Sequence, residues 1–414
     1  MKNEHKNILI IGGGQASAYA SQEIRKHDSE STVTIVTEEK FLPYERPPLS
    51  KNCLVDKRKY EDCLFFPEKF YDENNIEVKK NIHINNIDFN KKIITGNSNC
   101  KLSYDKLLIA TGSKNRELEF ENNDLKNEEN ILYLRNIEDS KKINLKIKEC
   151  NNPVIIGCGF IGLEIAASIS QFEKKVTLIE KSSQLMGRVI PEEISKLVKL
   201  KHEQEGNIFF LNSNIKKIEK ENKEFVITLD LNKVIKTDLI IIGVGSIPNT
   251  SVFENSELII ENGIKVNEFC QSSIENVFAA GDVANFYHPH YGKYMRLESY
   301  KHAQNHGIFA AKNICGLKES YVDIPWMWSD QFDLNLQLSG VCDDYDDMVS
   351  RGKDIREGII YFFLKKNIIH GACGLAIGGK VAKNIRLASK LSEKNIKISK
   401  EILSDTSTKL NKYL

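Results

Sequence analysis

Residues 7–20 read NILIIGGGQASAYA and residues 152–167 read NPVIIGCGFIGLEIAA. Each is an apolar, β-branched run of strand length that stops at glycines and continues as a small-residue helix. Each is followed by a further strand that ends at an acid, TVTIVTEE at residues 32–39 and KVTLIEKS at residues 175–182. The same strand-helix-strand unit written twice predicts an α/β protein with two doubly wound parallel sheets.

Working outward, three more strands open onto glycine: residues 105–110 into ATGS, residues 238–242 into GVGS, and residues 277–279 into AAGD. Glycine there brings the backbone close to something at the carboxyl end of a sheet. After about Val322 the texture changes. PWMWSDQFDLNLQL and GIIYFFLKKNIIHGACGLA predict antiparallel strands, finished by an amphipathic helix over residues 381–391. The acidic, Asn-rich stretch 117–129 reads as a surface loop.

The chain of 414 residues is long enough for two or three domains. Lys and Arg number 58 against 57 acids, so no global charge favours nucleic acid or an acidic membrane. No apolar run approaches the roughly 20 residues of a membrane span. The charged start runs into glycines rather than a cleavage site, and the first strand begins near Asn7, so neither a secretion signal nor an organelle leader is expected. The nine cysteines are scattered with no C-x-x-C pair. That pattern predicts no metal cluster, no paired redox disulfide and a reducing, cytoplasmic setting.

A glycine turn between strand and helix, with an acid about 20 residues on, is the pattern of a dinucleotide site. In the first unit Gly12 makes the tight turn, Gly14 lets a pyrophosphate approach the helix start, and Ser17 takes the small third place. Glu38 ends the next strand, placed for the hydroxyls of an adenosine ribose. In the second unit Gly157, Gly159 and Gly162 fill all three places and Glu180 supplies the acid. A carboxylate there favours NADH over NADPH, because it binds a free 2′-hydroxyl and repels a 2′-phosphate; Lys181 next door opposes that preference. Cys158 reads as a small hydrophobe. Two such sites in one chain suit a flavin held in the first and an exchanging nicotinamide in the second, FAD and NADH. A flavin takes two electrons and releases them singly.

Further stretches, PYERPPLSK, ATGS, LYLRNIEDS, GVGSIPN, VFAAGDVA, RLESYKHAQNHG and PWMWSDQFDLNLQL, fall in order along the chain. Together with the glycine turns they resemble the FAD-dependent ferredoxin–NAD(+) reductases of bacterial oxygenase systems, over nearly the full length. RPPLSK and PWMWSDQ discriminate most, since the turns are shared with all relatives. The resemblance implies a glutathione-reductase-like fold: residues 1–112 and 243–322 for FAD, 113–242 for NAD, and a C-terminal reductase domain at 323–414.

The resemblance also implies site residues. Gln15, Ala16, Glu38, Arg46, Lys51, Ala110, Thr111, Gly112 and Arg135 would contact FAD, with Ile84 on the adenosine side. Asp282 would bond the ribityl chain, and Glu298, Ser299 and Tyr300 would line the pyrimidine edge, where a helix opened at residues 296–298 would aim its positive end. On the NAD side it adds Phe160, Ile161, Arg188 and Gly245. Lys51 and Glu164 would pair beside the flavin, and Trp328 would cover it. Each has a plainer reading: Lys51 as a surface lysine, Glu164 as an acid favoured by the helix dipole, Arg188 as a partner of Glu192, and either Trp326 or Trp328 as core.

The implied activity is NADH oxidation with single electrons passed to a transiently docked [2Fe-2S] ferredoxin that serves an oxygenase, by a monomer or homodimer. Two alternatives stay open. A disulfide or coenzyme A-disulfide reductase, or an NADH oxidase, shares the architecture; the disulfide enzymes require a redox cysteine, for which Cys53 is the nearest candidate although it lies outside the expected place. An apoptosis-inducing-factor-like signalling flavoprotein would show slow turnover.

Overall fold

In the computed structural model, residues 5–119, 123–187 and 189–414 are described. The chain divides into two compact units. One comprises Met1–Glu45, Glu61–Lys114 and Ile247–Asp323; the other comprises Arg46–Tyr60, Asn115–Ser246 and Ile324–Leu414.

The first unit is organised by a five-stranded sheet in the order Val277–Ala279, Lys106–Ile109, Asn7–Ile11, Thr32–Val36, Ile76–Lys79. Every neighbouring pair is parallel. Parallel strands need crossovers, and the helix Gln15–His27 supplies the one between the first two strands in sequence. The helix Tyr300–Ile314 packs against it. Two small sheets, Ile84–Asp88 with Ile93–Gly96 and Lys101–Ser103, and Ile264–Val266 with Ala284–His288 and Lys293–Met295, complete the unit.

The second unit repeats the plan. Its parallel sheet runs Ile208–Phe210, Thr177–Ile179, Pro153–Ile156, Leu239–Ile242, Ile131–Tyr133. The C-terminal strands form a separate antiparallel sheet, Trp326–Gln331, Leu334–Gly340, Ile368–Ile377, Ile359–Lys365, Asp347–Arg351. Ile155, Leu178 and Leu239 of one sheet share a buried core with Leu336, Phe363 and Leu375 of the other, and Leu54 joins it. Apolar area removed from water on both sheets thus stabilises a single body.

Three expectations need correction. The helix expected to open at residues 296–298 begins at Tyr300, capped by Ser299, whose hydroxyl accepts from the His302 N–H at 3.3 Å. The C-terminal helix Ala382–Glu393 is not the last element. Lys400–Ser404 and Leu410–Tyr413 follow, and the buried Arg351 guanidinium holds their connecting carbonyls at Leu403, Asp405, Thr406 and Thr408. The stretch 117–129 is not wholly loop: Asn123–Asn127 forms a turn of 3-10 helix and Leu125 is buried, while residues 120–122 lie outside the described residues.

Candidate functional site

The two glycine turns are built alike. Gly12 has φ of +115°, and a Cβ there would meet the Ala110 carbonyl oxygen at 2.1 Å; Gly157 has φ of +102° and faces the Gly243 carbonyl oxygen at 2.4 Å. Neither position admits a side chain. Each N–H returns to the end of the next strand, from Gly12 to Val36 and from Gly157 to Ile179, both at 2.8 Å. Gly14 and Gly159 are the N-caps of their helices, with no side-chain cap, and a Cβ on either would meet nothing within 4 Å. The space beside each cap is open and no cap side chain occupies the first helical N–H groups, which suits a pyrophosphate. Beside the first turn the buried Gln15 Nε2 and Ser17 Oγ have no protein partner. These features fit a dinucleotide at each turn.

The acids differ in setting. Glu180 Oε2 accepts the Cys158 N–H at 2.8 Å, and its Oε1 accepts from the Ser182 N–H and hydroxyl at 2.9 and 2.6 Å. The carboxylate is thus fixed with acceptor capacity left for a ribose. Glu38 is exposed and stands 3.2 Å from His83 Nδ1, one residue before the buried Ile84. Cys158 lies wholly in the core, and burial, with Glu180 adding to it, pushes its thiol well up, as a small hydrophobe requires. Of the other residues expected on the nicotinamide side, Ile161 is exposed, and Gly245, at φ of +104°, accepts the Arg116 N–H through its carbonyl. Arg188 lies outside the described residues.

In the first unit Asp282 sits in the short helix Gly281–Val283 and accepts from the Ser113 hydroxyl at 3.1 Å. Thr111 and Gly112 are fixed through Asn249, whose carbonyl takes the Thr111 hydroxyl and whose N–H meets the Gly112 carbonyl. Glu298 pairs with Arg296, which also reaches the Asp282 carbonyl. The Tyr300 hydroxyl donates to Glu45 at 3.3 Å; burial, then Tyr19 and Glu45, push its phenol above the usual range.

A residue the sequence reading passed over explains how Ala16 is set. Gly307 of the helix Tyr300–Ile314 lies so close that a Cβ would stand 2.4 Å from the Ala16 carbonyl oxygen.

The segment RPPLSK belongs to the second unit, as a 3-10 turn Pro47–Ser50 with Pro at its start. Its carbonyls, and that of Leu54 just beyond it, are held from helices of that unit: Leu49 by the Ser140 hydroxyl, Ser50 by the Ser168 hydroxyl and Leu54 by the Asn144 amide. Arg46 donates to the Arg135 carbonyl at 2.7 Å, just before the helix Ile137–Glu149, whose capping box is Asn136 with Asp139. Lys51 Nζ then stands 2.6 Å from Glu164 Oε2. Glu164 also accepts from the Ser50 hydroxyl at 2.6 Å and the Ser329 hydroxyl at 2.7 Å, and is only 4 % exposed. Ser50 and Ser329 were not anticipated. Trp328 is half-buried, donates to Asp330 at 3.1 Å and stacks on Trp326 with centroids 5.2 Å apart. Trp326 in turn packs on the core beneath the helix Ala382–Glu393.

Two parallel sheets with matched, uncapped glycine turns and an acid at each following strand define an oxidoreductase fold with two dinucleotide sites. Residues 6–307 match the family described as pyridine nucleotide-disulphide oxidoreductase and residues 326–414 the family described as reductase C-terminal. The chain belongs to the pyridine nucleotide-disulphide oxidoreductase family, in the form that carries this C-terminal domain.

Among curated relatives, it is 33 % identical to a rubredoxin-NAD(+) reductase of Ectopseudomonas oleovorans, over 83 % of this chain and 88 % of that one. It is 32 % identical to the ferredoxin–NAD(+) reductase component of a 3-phenylpropionate/cinnamic acid dioxygenase from Photorhabdus laumondii, over 82 % and 85 %. Among solved structures, the covalent putidaredoxin reductase-putidaredoxin complex aligns with a TM-score of 0.94 at 25 % identity, over 99 % and 98 %.

Proposed function

We propose that this protein oxidises NADH and passes the electrons singly to a small iron-sulfur carrier, a ferredoxin or a rubredoxin, that serves an oxygenase. The observation that carries this reading is the pair of glycine turns of matching geometry in one chain. The names of the relatives, reductases of rubredoxin and of dioxygenase ferredoxins, support the acceptor class.

The cofactors are FAD and NAD(H). Bound FAD supplies what no side chain can, acceptance of a hydride and release of single electrons. The chain's own work is to bind and orient. The free N–H groups behind Gly14 and Gly159 take the pyrophosphates, with the helix dipole favouring the anion. Glu38 and Glu180 accept ribose hydroxyls, and Asp282 accepts one from the ribityl chain. Lys51, held by Glu164, places a positive charge for the reduced ring. Gln15, Ala16, Arg46, Ile84, Ala110 to Gly112, Arg135, Ser299, Tyr300 and Trp328 complete the proposed flavin contacts. Among the described residues no helix is long and apolar enough to cross a membrane, and the proposed setting is the cytoplasm.

The test is anaerobic mixing of the flavin-loaded protein with NADH and a panel of purified [2Fe-2S] ferredoxins and rubredoxins. Carrier-dependent NADH oxidation that weakens with rising salt is expected, since docking is steered by charge. NADH oxidation that no carrier accelerates, or reduction of a low-molecular-weight disulfide instead, would end the proposal.

A further inference from the structure

Glu164 is the end of a longer chain of buried polar groups, all within the second unit. The Ser329 hydroxyl donates to Glu164 Oε1 at 2.7 Å, and Gln331 Nε2 donates to Ser329 Oγ at 3.2 Å. Gln331 Oε1 lies 3.0 Å from His202 Nε2, and Asn207 Nδ2 lies 3.2 Å from His202 Nδ1. Asn207 Oδ1 accepts the Val176 N–H at 3.0 Å, which anchors the far end on backbone. Glu164, Ser329, Gln331, His202 and Asn207 are all buried.

The donors point one way. Glu164 only accepts, so Ser329 spends its single proton on it and must accept from the Gln331 amide. That leaves Gln331 Oε1 as an acceptor, so His202 carries its proton on Nε2 and accepts from Asn207 on Nδ1. A neutral imidazole is required, and burial lowers the His202 pKa to about 4, with Gln331 and Glu205 opposing and Lys201 adding to the fall. Each donor in such a line polarises the next, and the sum falls on the carboxylate. Phe209 and Phe332 hold the imidazole edge-on, so it cannot turn away without disturbing both rings.

The chain links elements that share no local sequence: the helix Glu192–Gln204, the strand Trp326–Gln331 and the helix Phe160–Ile169. Removing one member leaves buried groups unpaired, so a line of this length is retained only where every link is satisfied.

We propose that His202 and Gln331 are positioning residues for the Lys51–Glu164 pair, acting through Ser329 to fix the orientation of the Glu164 carboxylate. This rests on the reading that the pair serves the flavin. Neither His202 nor Gln331 touches Glu164, so an effect on the pair must travel through the line.

The experiment compares Gln331→Leu, Gln331→Met, Ser329→Ala, Ser329→Thr and Glu164→Gln in the FAD-loaded protein. Stopped-flow reduction by NADH separates the limiting rate from the NADH dissociation constant, and ¹⁵N NMR of the imidazole reads the His202 tautomer. Gln331→Leu is expected to slow limiting flavin reduction about threefold to tenfold with NADH affinity within about twofold. Gln331→Met keeps the size of the side chain but neither donates to Ser329 nor accepts from His202, so it slows reduction even where Gln331→Leu folds poorly. Ser329→Ala behaves likewise, and Ser329→Thr returns the hydroxyl and most of the rate. The parent protein shows the Nε2–H tautomer at neutral pH.

An Nδ1–H tautomer in the parent, or unchanged limiting rates in both Gln331 variants while Glu164→Gln slows reduction, overturns the positioning role alone. An unchanged rate in Glu164→Gln removes the flavin reading of the pair, and the positioning role with it.

Discussion

Lys51 Nζ and Glu164 Oε2 stand 2.6 Å apart although more than a hundred residues separate them in sequence; the carboxylate is buried while the lysine keeps 19 % exposure. The pair is unequal in its needs. Glu164 retains two serine donors without Lys51, but it then lacks a countercharge, and a buried carboxylate without one is strongly disfavoured. Replacing Lys51 by Met is expected to destabilise the protein by about 2 kcal/mol, discounted from the fully buried case because Lys51 is partly hydrated. It should also slow flavin reduction by NADH at least about tenfold. Chemical denaturation and stopped-flow absorbance check the two effects separately, and a variant with parental stability and rate would show the pair to be incidental.

We propose that Glu180, held by the Cys158 N–H and by Ser182, sets nucleotide choice. NADH should exceed NADPH by at least about tenfold in kcat/KM, a difference of about 1.4 kcal/mol. Glu180→Ala should narrow that ratio mainly by raising the KM for NADH. Equal efficiencies in the parent would overturn the assignment.

Gly307→Ala places a methyl against the Ala16 carbonyl, where no flexible side chain can give way. Overpacking of this kind costs about 1–3 kcal/mol. The helix start beside it should be displaced, so the purified variant is expected to carry less FAD than the parent. A full complement of flavin by visible absorbance would contradict this.

Stability should fall in mild acid. Burial lowers His288 to about 4 and His302 to about 3, and holds His306 well below its ordinary 6.5; His202 behaves as already described. The folded protein thus excludes protons that the unfolded chain binds. The contribution is complete above about pH 6.5 and is lost as pH falls toward 3 to 4, by about 1.4 kcal/mol per histidine for each unit below 6.5. Urea midpoints at pH 7.5 and 5.5 measure it; a flat response would show that these histidines take up protons without unfolding.

Trp328→Ala should slow delivery to the protein carrier more than NADH oxidation by a small artificial acceptor, since stacking on Trp326 fixes a half-buried ring. An equal loss with both acceptors would assign Trp328 to packing alone.

The glycine turns were legible because their requirement is local: a positive φ and a close carbonyl allow only glycine, and the strand and helix on either side identify themselves by period. Most of what surrounds them was not. Ser50 and Ser329 reach Glu164 from distant segments, and a serine has no sequence signal for a partner far along the chain. Gly307 lay within a recognised stretch, yet its neighbour Ala16 is on another helix. The start of the helix Tyr300–Ile314 was recoverable, because Ser299 is a preferred N-cap. The strands Ile84–Asp88 and Ile131–Tyr133 were missed for different reasons, the first being polar and the second only three residues long.

Residues 46–60 interrupt the first unit in sequence yet are folded into the second, where Ser140, Asn144 and Ser168 clasp their carbonyls. Crossover points for a chimaera therefore have to fall on either side of that insert. A graft that imports residues 1–114 from a relative as one block would bring a foreign lysine to the resident glutamate, whereas one that leaves 46–60 behind transplants only first-unit residues and keeps the native couple intact.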